Sequence, residues 1–147
     1  MDELIAATIS GAGVAAEASP AARREAGNAA ADDRVVTQLK RAVTALLDKK
    51  AEKLVVLNLS GLTAVSDYFV LASAGSGRQA QALADAVDEA MKAEGRRPLS
   101  IEGYRSATWI LLDFGDVVFH VFHDEARRFY GLERLWGDAP DATSRFS

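Results

Sequence analysis

Apolar residues along this chain follow two rhythms, one of about 3.6 residues and one of two, the signatures of amphipathic helices and half-buried strands. Val35, Val36, Leu39, Val43, Leu46 and Leu47 recur at helical spacing. Asp32 and Asp33 precede them as N-cap candidates, and Lys49 and Lys50 follow where the helix dipole favours cations. Residues 53–59 read as a buried strand that Ser60 and Gly61 interrupt, and residues 67–73 read as a second strand. Gly75-Ser76-Gly77 then leads into a helix over 78–94, with Ala80, Leu83, Ala84, Val87, Ala90 and Met91 on one face and Gly95 at its end. A short strand is expected over 98–102. A closing helix is expected from Asp124 to Trp136, with Phe129, Leu132, Leu135 and Trp136 at helical spacing.

Between these last two elements lies the most informative stretch, Trp109 to Phe122. Two apolar runs flank Gly115-Asp116, and glycine first in a two-residue loop suits a type II′ hairpin turn. Pairing about that turn sets Phe114 against Val117, Leu112 against Phe119 and Ile110 against Val121. All six share one face, because side chains alternate along a strand, and that face has no polar side chain. The opposite face carries Trp109, Leu111, Asp113, Val118, His120 and Phe122. It is either covered within the monomer or, in its outer part, a contact surface for another protein. The order helix, two strands, helix, three strands, helix gives an α/β domain: a mixed sheet of about five strands with flanking helices.

Composition divides the chain further. Its 147 residues suit one domain plus extensions. Residues 1–31 are rich in alanine and poor in large side chains, so they read as an N-terminal extension. Residues 32–137 form the domain, and the polar tail 138–147 is expected to fray. The net charge of −4 argues against broad nucleic-acid or anionic-membrane binding, and so against direct DNA binding, but suits docking on a basic protein. Without cysteine there is no disulfide, thiolate nucleophile or cysteine-bound metal. Met1-Asp2-Glu3 starts no secretory signal, and no apolar run nears the roughly 20 residues of a membrane span. A soluble, cytoplasmic protein is the expectation.

Candidate chemistry is sparse. Gly75-x-Gly77-x-x-Ala80 follows a strand and opens a helix, as a dinucleotide fingerprint does, and Glu102 could serve as the ribose-binding acid. The same pattern recurs at Gly11-x-Gly13-x-x-Ala16, and the parallel βαβ units of a full site are missing. A strand-to-helix turn capped by Ser76 explains the residues equally. Gly75-Ser76 also fits a nucleotidyltransferase, whose Asp-x-Asp pair on the next strand would hold magnesium. Here the next carboxylates, Asp85, Asp88 and Glu89, fall on the second helix, so the metal-binding half is absent. No Gly-Lys-Ser or Gly-Lys-Thr occurs, which removes a Walker loop. His120 and His123 point to opposite faces and suit no metal. His120 and Asp113 share a face and could form an acid–base pair, but no nucleophile accompanies them; a single hydrogen bond steadying a half-buried imidazole is the simpler reading. Arg127 and Arg128 read as part of a solvated helix face, within sequence reach of Asp113 or Asp116.

From about Val35 to Trp136 the chain resembles the Iojap-like ribosome silencing factors. The matching segments are Asp67-Tyr-Phe-Val70, Ser76-Gly-Arg-Gln79, Pro98-Leu99, Glu102-Gly103, Trp109 to Phe122, Arg127-Arg-Phe-Tyr130 and Leu132 to Trp136. Phe119 stands where the family pattern usually has valine, and residues 1–31 lie outside the resemblance. The resemblance implies a nucleotidyltransferase-like scaffold without the catalytic acids, in accord with the missing Asp-x-Asp pair. It implies no enzyme, no metal and no cofactor. It implies binding to the large ribosomal subunit, on ribosomal protein fourteen, at the surface that faces the small subunit. Joining is then blocked and translation falls under nutrient limitation. Some members form homodimers. The family pattern and the hairpin geometry together nominate Trp109, Leu111, Asp113, Gly115 and Asp116 for the contact, with Arg127 and Tyr130 alongside. The alternative is that Trp109 and Tyr130 close the monomer core under the last helix.

Overall fold

Alanine is the strongest helix former, and helix α1 (Ala29–Asp48) begins inside the alanine run rather than at the aspartates. Asp32 and Asp33 therefore lie within the helix and do not cap it. This computed structural model describes residues 29–60, 66–124 and 141–146. Leu39, Ala42, Val43 and Leu46 form the buried stripe of α1. The helix closes on Lys50, at φ 64°, with Ala51 N–H donating to Leu46 C=O at 3.0 Å, a Schellman-type end built without glycine.

Strands β1 (Glu52–Asn58) and β2 (Tyr68–Ala74) precede helix α2 (Gly77–Ala93), and strands β3 (Ser100–Glu102), β4 (Trp109–Asp113) and β5 (Val117–His123) follow it. Of the closing helix expected over 124–136, Asp124 is described and helical, and residues 125–136 lie outside the described residues. The sheet order is β1-β2-β5-β4-β3. Only β2 and β5 are parallel; the other neighbours are antiparallel, so the sheet is mixed and five-stranded. The hairpin register is the one read from the sequence: Ile110 faces Val121 and Leu112 faces Phe119, and Phe114 N–H donates to Val117 C=O at 2.9 Å.

Alternation along the strands divides the interior in two. Ile110, Leu112, Phe114, Val117, Phe119 and Val121 all join the core beneath α1 and α2, with Tyr68, Val70 and Ala72 of β2. Trp109, Leu111, Val118 and Phe122 fall on the opposite face, with Leu57, Leu59, Phe69 and Leu71. The start of α2 is tied to the end of α1 by one side chain. Gln79 Oε1 accepts from Gly75 N–H at 2.9 Å, while Nε2 donates to the carbonyls of Lys49 and Lys50 at 3.4 and 3.2 Å.

The C-terminal tail is not frayed over residues 141–146. Ala142 N–H donates to Val56 C=O at 2.7 Å, Thr143 Oγ1 accepts from Val56 N–H at 2.9 Å, and Asp141 bridges to Leu57. The single-turn helix α3 (Thr143–Phe146) then buries Phe146 edge-on against Tyr68, centroids 5.6 Å apart. One buried aromatic ring overrides the polar composition around it.

Candidate partner-binding surface at the hairpin

The turn between β4 and β5 is held from every side. Gly115 sits at φ +89°, a conformation that side chains other than hydrogen rarely adopt. Its N–H donates to Asp113 Oδ1 at 2.8 Å, and its carbonyl accepts from the buried Ser66 hydroxyl at 2.8 Å. The Asp116 carbonyl accepts from Asp67 N–H at 2.8 Å and Tyr68 N–H at 3.1 Å. Arg96 completes the clamp. Its Nη2 donates to Asp116 Oδ1 at 2.7 Å and to Phe114 C=O at 2.8 Å. Its Nη1 reaches Asp116 Oδ2 at 3.2 Å and Gln38 Oε1 of α1 at 3.1 Å. The Asp116 carboxylate thus pairs with Arg96, an arginine far upstream, while Arg127 and Arg128 lie outside the described residues. Asp113, Gly115 and Asp116 remain half-buried at the rim, in a fixed geometry that costs a partner little ordering entropy.

Trp109 and Leu111 are placed differently from their neighbours at the turn. They are 2% and 1% exposed, so as placed they have no surface to give a partner, and the direct contact expected of them is not available in this conformation. Their place is in the second apolar cluster, where the Trp109 indole packs 4.9 Å from Phe122. Arg127 and Tyr130 lie outside the described residues. The structure therefore brings Asp113, Gly115 and Asp116 together on the surface, with Trp109 and Leu111 beneath.

His120 explains part of that burial. Trp109 Nε1–H donates to His120 Nδ1 at 3.1 Å, and the imidazole packs 4.7 Å from Phe69. An imidazole whose Nδ1 accepts holds its proton on Nε2. That Nε2 is buried and without a hydrogen-bond partner. Desolvation lowers the His120 pKa from 6.5 to about 3, so the ring is neutral near physiological pH. Asp113 spends its carboxylate on Gly115 and does not hydrogen-bond to His120, so the acid–base pair is not formed.

The glycine-rich turn before α2 is likewise occupied by the protein itself. Ser76 is the N-cap, its hydroxyl accepting from Gln79 N–H at 3.1 Å. A Cβ on Gly77 would stand 3.3 Å from Ala107 Cβ, so that glycine makes room for the 103–108 loop rather than for a phosphate. No group of three His, Asp or Glu that could hold a metal occurs among the described residues.

The Arg96 clamp and the Gln79 tie were missed in the sequence because each joins elements far apart in the chain. Gln79 lies in a segment shared with the family pattern, Ser76-Gly-Arg-Gln79, which was the available signal.

The comparisons with known proteins agree with one another. Over 102 residues the chain is 45% identical to ribosomal silencing factor RsfS of Halalkalibacterium halodurans, covering 69% of this chain and 87% of that protein. Over 108 residues it is 43% identical to RsfS of Bacillus subtilis, covering 74% and 92%. A crystal structure of a protein from Chromobacterium violaceum superposes with a TM-score of 0.67 at 38% identity, covering 69% of this chain and 84% of that one. With a family model described as "Ribosomal silencing factor during starvation" matching residues 32–146, this chain belongs to the ribosomal silencing factor family.

Proposed function

We propose that this chain binds the large ribosomal subunit through ribosomal protein fourteen and sterically prevents the small subunit from joining, so that translation falls when nutrients are limiting. The observation that carries this is the family match over residues 32–146. The acidic balance of the chain, net −4, suits a basic ribosomal partner. The contact takes in the hairpin: Asp113, Gly115 and Asp116 meet the partner, Trp109 and Leu111 hold the strand that presents them, and Arg127 and Tyr130 are further contact residues. The protein works in the cytoplasm by occupancy, without cofactor or turnover, and forms a homodimer when free. No described helix is long and apolar enough to cross a membrane.

Sedimentation of the purified protein with isolated ribosomal subunits tests this reading. Recovery with the large subunit and not the small one is expected. Recovery with neither, or with the small subunit, overturns it.

A further inference from the structure

Strand β3 ends the sheet, and among the described residues no strand pairs with its outer edge. Beside it lie two exposed apolar groups, Leu99 at 75% and Ile101 at 40%. Such an edge is a template for another strand where it is not blunted; β3 (Ser-Ile-Glu) carries no proline or lysine, and its three residues, with Glu102 as the one charge, limit the added pairing to a short stretch. Ile101 stands opposite Leu112, so Leu99 and Ile101 continue the helix-side face of the sheet beyond its covered part. Glu102 and Ser100 stand opposite Leu111 and Asp113, which puts the Glu102 and Asp113 carboxylates on the other face. Neither carboxylate is in an ion pair among the described residues. The edge is also continuous with the turn. Leu99 N–H donates to Asp113 C=O at 2.7 Å, and Leu99 Cδ1 lies 3.5 Å from where a Cβ on Gly115 would be.

We propose that the free edge of β3 receives an extended segment of the partner as an added strand. The segment belongs to a basic protein of the large subunit and alternates apolar with Lys or Arg residues. Main-chain hydrogen bonds along β3 supply a general grip. The apolar side chains of the added strand lie on Leu99 and Ile101, and its basic ones meet Glu102 and Asp113. This inference rests on the proposed large-subunit binding and assigns that contact its main anchor: the exposed strip at the sheet edge, with the clamped turn as its rim.

The test uses the full chain and isolated large subunits. Wild type, Leu99→Asp and Glu102→Arg are compared by co-sedimentation at low and moderate salt. Backbone amide exchange is followed with and without subunits, and light scattering reports the mass of the free protein. Leu99 is mostly in solvent, so its substitution leaves the core intact, which circular dichroism verifies. The expected result is a loss of affinity of about tenfold or more for Leu99→Asp, the scale of an interface anchor. A salt-sensitive loss is expected for Glu102→Arg, and slowed exchange at residues 100–102 on binding. If wild type fails to bind large subunits, the proposed function itself falls. If wild type binds and Leu99→Asp binds equally, the edge is not the anchor and the inference falls alone. If residues 100–102 exchange at the same rate when bound, strand addition is wrong. If Leu99→Asp changes only the mass of the free protein, the edge belongs to a second copy and the inference is overturned.

Discussion

His120 makes the stability of the fold depend on pH. The ring is buried, its Nδ1 accepts from Trp109, and its Nε2–H has no acceptor. Leaving one donor so placed costs about 1–3 kcal/mol even when the ring is neutral. Adding a second proton costs more, which is why burial depresses the pKa from 6.5 to about 3. The unfolded chain takes up that proton as the pH falls through 6.5, while the folded chain resists until about 3. Between those values the unfolded state binds more protons, so stability falls as the pH falls. It is undiminished above 6.5. One pKa unit corresponds to 1.36 kcal/mol, so the loss at about pH 5 is roughly 2 kcal/mol. Urea unfolding at about pH 7.5 and about pH 5 measures this directly. His120→Gln, which keeps an acceptor for Trp109 but cannot titrate, controls for the carboxylates common to both proteins. Wild type should lose about 2 kcal/mol more than the variant over that interval. Equal losses would mean that burial does not hold His120 neutral. Where the variant is too unstable to compare, NMR titration of the wild-type imidazole decides: a ring that protonates near its ordinary pKa contradicts the burial.

Two further substitutions test how the surface is built. Arg96→Met keeps the aliphatic stem but removes the hydrogen bonds to Asp116, Phe114 and Gln38; with the pair partly solvated, a loss of about 1–3 kcal/mol by thermal or urea unfolding is expected, and an unchanged midpoint contradicts the clamp. Phe146→Ala removes the ring buried against Tyr68; a loss of about 3 kcal/mol is expected from denaturant unfolding, while a loss near zero would mean that the tail does not dock.

The hairpin was the most legible part of the molecule. A turn glycine and strict alternation leave one register, and the six core-facing residues follow from it. The start of α1 was less legible: alanine resembles low-complexity extension in composition and helix in propensity, and over Ala29 to Ala31 propensity prevails. The tail misled for the opposite reason, because the one ring that docks it, Phe146, stands in no periodic pattern. Trp109 showed the limit most clearly. An aromatic beside a leucine reads the same in a core and in an interface. Only the fold places its indole N–H against His120 and removes it from solvent. Leu99 was legible as a residue shared with the family pattern but not as an exposed one, since nothing local indicates that β3 would end the sheet.

Under the proposed function, binding to one subunit prevents two from joining. Light scattering of purified large and small subunits, mixed with rising amounts of the protein, measures joining directly. The joined fraction should fall in step with occupancy of the large subunit, and pre-incubation with the large subunit should be more effective than with the small. An undiminished joined fraction at saturating occupancy of the large subunit would contradict it.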